Sequence, residues 1–344
     1  MFDAVTSSLP WALATFVLAA VVIGVAGTRL TAVCDRLADR TGLGEAVTGA
    51  ILLGAATSLP GITASVTAAV DGLPTLALSN AIGGIAVQTA FLVVADIAYR
   101  RANLEHAAAS VQNMMQASLL VVLLALILAA MSAPPVTFAG VNPVSPLLLL
   151  VYGFGMQMVH RSREQPMWLP RMTRSTRVDE PDATSDDVPL GRLWAEFLLA
   201  AALVVAAGVA VTRSGEAIAA TTGISHTLVG ALLVAVATSL PELVTSVAAV
   251  RRGALTLAVG GILGGNAFDT LFAAVADIAY RPGSLYHGAS GGEAFLVALT
   301  IAMTAVLLLG LLRRERLGIA RIGFESFIVL LLYAGGMLVI GVIG

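Results

Sequence analysis

Lysine is absent from this chain of 344 residues, so all 19 basic residues are arginine. Cysteine is nearly absent as well, with Cys34 standing alone. One cysteine excludes an internal disulfide and a cysteine-built metal cluster. Charge is scarce: 12% of residues are charged against 58% apolar, about half the charge of a soluble domain. That balance excludes a soluble globule. No glycine-rich phosphate loop of the Walker type occurs, so ATP hydrolysis is not the power source. The net charge of −2 says little about partners. Where the charges fall says more.

What fills the chain is apolar sequence. A helix needs about 20 residues to cross hydrocarbon, and ten such runs occur, at 11–28, 45–70, 74–98, 108–132, 143–159, 193–212, 227–250, 255–279, 292–312 and 323–343. The first reads as a retained helix and not a signal peptide. Its leader "MFDAVTSSLP" has no basic residue and Arg29 follows the run, the reverse of a secretory pattern. With ten spans, 17 of the 19 arginines fall on one side, and only Arg213 and Arg281 on the other. The positive-inside rule makes the Arg-rich side cytoplasmic, which puts both termini outside. Arginine without lysine suits a GC-rich genome, so the expected location is a prokaryotic cell membrane.

The sequence is also printed twice. A shift of 181 residues lays 41–100 onto 222–281 without a gap, and 29 of those 60 positions are identical. Five spans per half is an odd number, so the second copy enters the membrane from the opposite face. The connector between the paired helices agrees, reading "VDGLP" in copy one and "VRRGA" in copy two. The expected fold is an all-α polytopic membrane protein: ten helices as two inverted five-helix repeats. Residues 1–160 form the first half, 161–192 a cytoplasmic linker and 193–344 the second half. Inverted repeats of this kind mark secondary transporters, with the substrate site near the midplane.

Polar residues inside the apolar runs locate that site. The tetrapeptide TSLP recurs at 57–60 and 238–241. Pro60 and Pro241 each remove a helical hydrogen bond and displace a carbonyl. Thr57, Ser58, Thr238 and Ser239 then set hydroxyls beside oxygens that lack a partner. Carbonyls, hydroxyls and a carboxylate make an oxygen cage of the kind hard cations take. Glu242 follows Thr238 by four residues and Ser239 by three, so the three share a helical face. A carboxylate at a helix centre costs about 2.5–3.5 kcal/mol even on lenient insertion scales, so such acids are functional by default. Asp269 stands in "GGILGGNAFDT" (260–270), and its partner in copy one is Gln88 in "NAIGGIAVQT".

At these residues the chain resembles the calcium/cation antiporter superfamily of sodium/calcium and calcium/proton exchangers. Its alpha-repeats read close to G-T-S-L-P-E followed by G-N-x-x-G-S-N-x-x-N/D. Here copy two reads "ATSLPEL" and "GGILGGNAFD"; copy one reads "ATSLPGI" and "SNAIGGIAVQ". The resemblance implies a secondary antiporter that moves Ca²⁺ against H⁺ or Na⁺, or else an exchanger of K⁺, Na⁺, Mg²⁺ or Mn²⁺. It implies that Glu242 and Asp269 bind the cation, aided by Thr238, Ser239, Thr57 and Ser58, with Gln88 where the family has Asn or Asp. It also implies that the first and sixth helices slide across the other eight. The family's second acid falls on Gly61.

Three features suggest other readings. "HGASGGEAF" (287–295) contains Gly-x-Ser-x-Gly and raises an intramembrane hydrolase on Ser290, which needs a His base within reach. The acidic end of the 161–192 segment lacks the glycine turn and terminal Glu of an EF-hand, and reads as a solvated linker. Asp96 and Asp277 precede Arg100 and Arg281 by one turn, which suggests interfacial ion pairs. The expected partners are the lipid bilayer and inorganic cations, not nucleic acid. No cofactor is expected, only transported ions.

Overall fold

The structure is a computed structural model and describes residues 8–41, 49–99, 103–164, 168–170, 188–252, 255–315 and 323–343. Long helices dominate: α1 Leu9–Thr41, α2 Gly49–Val70, α3 Pro74–Tyr99, α5 Val111–Ser132, α6 Val144–Glu164, α7 Leu190–Thr222, α10 Leu255–Ala279, α12 Gly291–Arg313 and α13 Phe324–Ile343. Two single turns, α4 Leu104–Ala107 and α11 Leu285–Gly288, join them. A bent pair, α8 His226–Thr238 and α9 Leu240–Arg252, completes the set, and α8 includes a π-turn at Val229–Val234.

Among the described residues, seven helices are long and apolar enough to cross a membrane by length and composition, and the α8–α9 pair makes an eighth. Of the spans expected at 45–70 and 143–159, the residues from Gly49 and from Val144 onward are helical, as α2 and α6, but stand outside that count. α6 ends in the polar "HRSRE", and the side chains of α2 are described only from Thr57 onward. Of the 161–192 segment, 161–164 continue α6 and 190–192 begin α7, while 165–167 and 171–187 lie outside the described residues.

Apolar side chains face outward as well as filling the core, and a group of polar ones is buried. Leu18, Leu150, Leu198 and Leu338 are 63–73% exposed, whereas Ser58, Gln88, Thr238 and Asp269 are buried. Apolar side chains left outward and polar ones gathered inward are what a hydrocarbon solvent selects. The main core lies among α3, α5, α10, α12 and α13. The two longest helices, α1 and α7, lie chiefly against each other at one flank, tied by an Arg29–Glu196 ion pair at 2.8 Å.

The halves repeat each other in contacts as well as sequence. On α1, a Cβ at Gly27 would fall 2.4 Å from Cγ of Pro241; on α7, one at Gly208, 181 residues later, would fall 3.2 Å from the Pro60 carbonyl oxygen. Asp96 accepts from the Leu104 N–H at 2.8 Å and the Ser326 hydroxyl at 3.0 Å. Asp277 accepts from the Leu285 N–H at 2.8 Å and the Ser145 hydroxyl at 2.7 Å. His106 meets the Arg314 carbonyl and His287 the Ala133 carbonyl. Every pair is related by the same shift of 181.

These caps correct the reading of Asp277 as an ion-pair partner of Arg281. Its carboxylate is fully buried and taken up by the Asn142 and Leu285 N–H groups and Ser145. N–H groups at a helix start have no helical acceptor, and the buried carboxylate accepts from them in charge-assisted bonds. Arg100 lies outside the described residues, and its expected pairing with Asp96 with it.

Candidate functional site

The two TSLP copies do not fold alike. α2 runs unbroken through Pro60. In copy two the π-turn winds an extra residue into α8, the chain leaves helical geometry at Ser239, and α9 sets off at 49°. The expected break is therefore present at Pro241 and absent at Pro60. Proline interrupts one ladder bond in either copy. Only where a π-turn precedes it does the helix part.

The bend opens beside α2, α3 and α10, and a small cavity lies there. Ser58 and Gly61 come from α2, Asn80, Gly84 and Gln88 from α3, Thr238, Ser239 and Glu242 from the broken helix, and Asp269 and Phe272 from α10. Six of the seven residues picked from sequence thus converge. Thr57 is buried on α2 but does not line the cavity. The space open to a water-sized sphere is about 10 Å³, close to the minimum for one water. It suits a bare ion, not a hydrated one.

Glu242 is 8% exposed and Asp269 1%. Both oxygens of Asp269 already accept hydrogens, from Ser58 Oγ at 2.6 Å and Gln88 Nε2 at 2.8 Å. Gln88 is the repeat-mate of Asp269, so the two bond across the centre of the molecule. Its Nε2 also donates to Ser239 Oγ at 3.2 Å. Gln88 Oε1 and Glu242 Oε2 are buried without a hydrogen-bond partner. An unpartnered buried oxygen costs about 1–3 kcal/mol, and two of them facing one cavity are what a cation would satisfy. Among the described residues no three acidic, His or Cys side chains are placed to hold a metal. Any ion here is held by two carboxylates and neutral oxygens.

Sequence reasoning missed Asn80 and Phe272. Asn80 Nδ2 donates to the Gly61 carbonyl at 3.0 Å and Ser65 Oγ at 2.8 Å, and its Oδ1 accepts from Thr238 Oγ1 at 3.3 Å. It links the unbroken helix to the broken one. The signal was present, since Asn80 occupies the first Asn of the family motif. Phe272 covers Gly61: a Cβ there would fall 2.6 Å from ring atom Cε2. Edge-to-face contacts with Phe268, and of Phe268 with Tyr152, continue this aromatic wall past Asp269.

Ser290 is not assembled as a nucleophile. Its Oγ donates to Glu293 at 2.7 Å, while the His287 ring engages Ser284 Oγ and the Ala133 carbonyl. The constellation a hydrolase requires is replaced by a helix-start carboxylate.

The family described as "Sodium/calcium exchanger protein" matches residues 11–157 and 192–342, on either side of the central segment. CaxA of Alkalimonas amylolytica is 33% identical over 120 residues, a match that spans 34% of this chain and 38% of that protein. The fold is similar to that of the H⁺/Ca²⁺ exchanger CAX, at TM-score 0.69 and 14% identity, covering 99% of this chain and 90% of that one. It is also similar to the sodium-calcium exchanger NCX_Mj, at TM-score 0.57 and 18% identity, covering 96% and 99%. At such identities the likeness is one of fold.

Proposed function

As this chain belongs to the sodium/calcium exchanger family, we propose that it exchanges cations across the cell membrane by alternating access. It is a multi-pass membrane transporter and not an enzyme. Glu242 and Asp269 supply the charge that holds the cation near the midplane. Ser58, Thr238, Ser239 and Gln88 supply neutral oxygens. Thr57, buried next to Ser58 on α2, supports the site from outside the cavity lining. Ca²⁺ is the leading substrate and H⁺ or Na⁺ the counter-ion; the two solved neighbours are named for these two exchanges.

Residues 1–160 and 193–344 act as inverted halves joined by a cytoplasmic 161–192 linker, with both termini outside. The arginine distribution supports this orientation, and the contacts repeated at a shift of 181 are those that a two-fold axis in the membrane plane would generate. α1 and α7, long, peripheral and packed on each other, are the sliding pair. Gly27 and Gly208 ride on the two prolines beside the cavity.

One observation carries the reading: two buried carboxylates from different helices line one ion-sized cavity at a helix break. Reconstituted Glu242→Gln protein, assayed for Ca²⁺ flux under Na⁺ and pH gradients, tests it. Removing one partner of a buried charge pair costs about 3–5 kcal/mol, so affinity should fall at least about a hundredfold. Melting temperature should hold or rise, because a buried acid is removed. Wild-type flux from a folded Glu242→Gln protein would sink the assignment.

A further inference from the structure

Away from the cavity, at the Arg-rich end of the bundle, three carboxylic acids are buried together. Asp96 lies near the end of α3, Glu105 sits on α4 and Glu325 opens α13, and none is more than 1% exposed. Asp96 is satisfied by the Leu104 and Gly323 N–H groups and the Ser326 hydroxyl. Asn103 donates to Glu325 Oε1. Both oxygens of Glu105 and Oε2 of Glu325 remain buried with no donor, and Asn103 ties the two acids together, its Oδ1 accepting from the Glu105 N–H at 3.2 Å while its Nδ2 donates to Glu325. Two carboxylates are acceptors only and cannot bond. One proton between them turns the repulsive contact into a charge-assisted hydrogen bond.

The other half shows that the fold does not demand these acids. At a shift of 181, Asp96 becomes Asp277, Glu105 becomes Tyr286, and Glu325 falls on Val144. There the cap is completed by the Tyr286 hydroxyl, 3.0 Å from Ser145 Oγ. One end closes with a phenol and a valine, the other with two extra carboxyls. Among the described residues, the charged groups near Glu105 are Asp96 from α3, Glu325 from α13, His106 beside it on α4, and Arg314 just after α12. Arg314 donates to the His106 carbonyl, and the His106 ring meets the Arg314 carbonyl. The acids of α10, Asp269 and Asp277, sit in the cavity and at the opposite end, and Glu293 of α12 lies with Ser290 and Thr227. Burial, reinforced by the charges of Asp96 and Glu325, pushes the Glu105 carboxyl well above its ordinary range.

We propose that Glu105 and Glu325 form a second proton-binding site, separate from the transport cavity, whose shared proton locks α3, α4 and α13 together. The proton adds to one carboxylate and is donated to the other. Its release leaves two facing anions beside Asp96 and loosens the end of the bundle. The lock is closed at low pH and opens as pH rises.

The test is the melting temperature of the purified full-length protein between about pH 5 and pH 9, a range that starts just above the unperturbed Glu value. Wild type is compared with Glu105→Gln and Glu325→Gln. Either glutamine places a permanent N–H where the shared proton sits. The folded wild type holds a proton that the unfolded chain has released, so its stability falls as pH rises through this window. The melting-temperature gap between each glutamine variant and wild type should therefore widen with pH, the central acids being common to all. Parallel curves for the folded variants would overturn the proposal. A wild-type gain on adding Ca²⁺ at high pH that Glu105→Gln loses would also overturn it, marking a cation site. Should neither variant fold, infrared spectra of Glu242→Gln/Asp269→Asn protein at neutral pH read the proton directly. A protonated-carboxyl stretch is expected there, and its absence overturns the site.

Discussion

Phe272 covers the position at which copy one lacks an acid, Gly61. Copy one of the repeat lacks the acid that copy two has as Glu242, and the ring of Phe272 occupies the volume an acid would need. Glu242 and Asp269 were legible in the sequence because a carboxylate in apolar sequence demands a reason. Phe272 was not, since an aromatic residue in a membrane helix reads as packing. Asn80 was legible only through the family motif, because its amide in "SNAIGG" carries no charge to single it out. The pairing bears on whether Gly61→Glu adds a third charge to the cavity. With a Cβ only 2.6 Å from the ring, Gly61→Glu alone should overpack and cost about 1–3 kcal/mol, without tighter cation binding. Gly61→Glu with Phe272→Ala should recover stability and bind Ca²⁺ or Na⁺ more tightly. Thermal melts and calorimetric titration of both variants check this. Tighter binding by the single variant at wild-type stability would show that the ring is no barrier.

At the scale of elements, the same four residues TSLP give an unbroken helix in α2 and a 49° break between α8 and α9. Local sequence cannot decide between these outcomes, so the register of the π-turn and the neighbouring helix do. α1 approaches the break through Gly27, 2.4 Å from Cγ of Pro241 once a Cβ is added. A proline ring cannot rotate aside. Gly27→Val should therefore push α1 off the break, destabilise by about 1–3 kcal/mol and slow transport. Gly24→Ala, facing Leu240 at 3.6 Å, should be tolerated. Melting temperature and initial flux rates separate the two, and a fast, stable Gly27→Val protein would remove α1 from the proposed sliding pair. The caps were only half legible. Identity carries the repeat through 41–100, but between the two end-caps few matches remain, among them Leu104 with Leu285, His106 with His287, and Ser145 with Ser326. Hydrogen bonds kept the symmetry after side chains had diverged, and a sequence shift registers only identities.

For the whole molecule, the proposed transport site sets a limit: the number of charges in the cavity bounds what can be exchanged through it. Of the repeat-mates, Gly61 faces Glu242 and Gln88 faces Asp269, so copy one contributes no negative charge. Gln88 donates to Asp269 instead, neutral and already committed. Two carboxylates balance one Ca²⁺, or two H⁺ or Na⁺. A third monovalent cation would bring an uncompensated charge into a dry site, at several kcal/mol, which weakens binding by orders of magnitude. The cycle should then be electroneutral: two monovalent cations per divalent one, or one for one among monovalent ions. A membrane potential gives the discriminating measurement. Each net charge moved per cycle is driven by about 2.3 kcal/mol per 100 mV, so a three-for-one cycle must shift with voltage, whereas a two-for-one cycle must not. In proteoliposomes with clamped ion gradients, Ca²⁺ flux should reverse where the chemical gradients balance, whatever the imposed potential. A reversal point that tracks voltage as three Na⁺ per Ca²⁺ requires would mean that the missing acid at Gly61 is replaced from elsewhere, and the two-charge limit would fall.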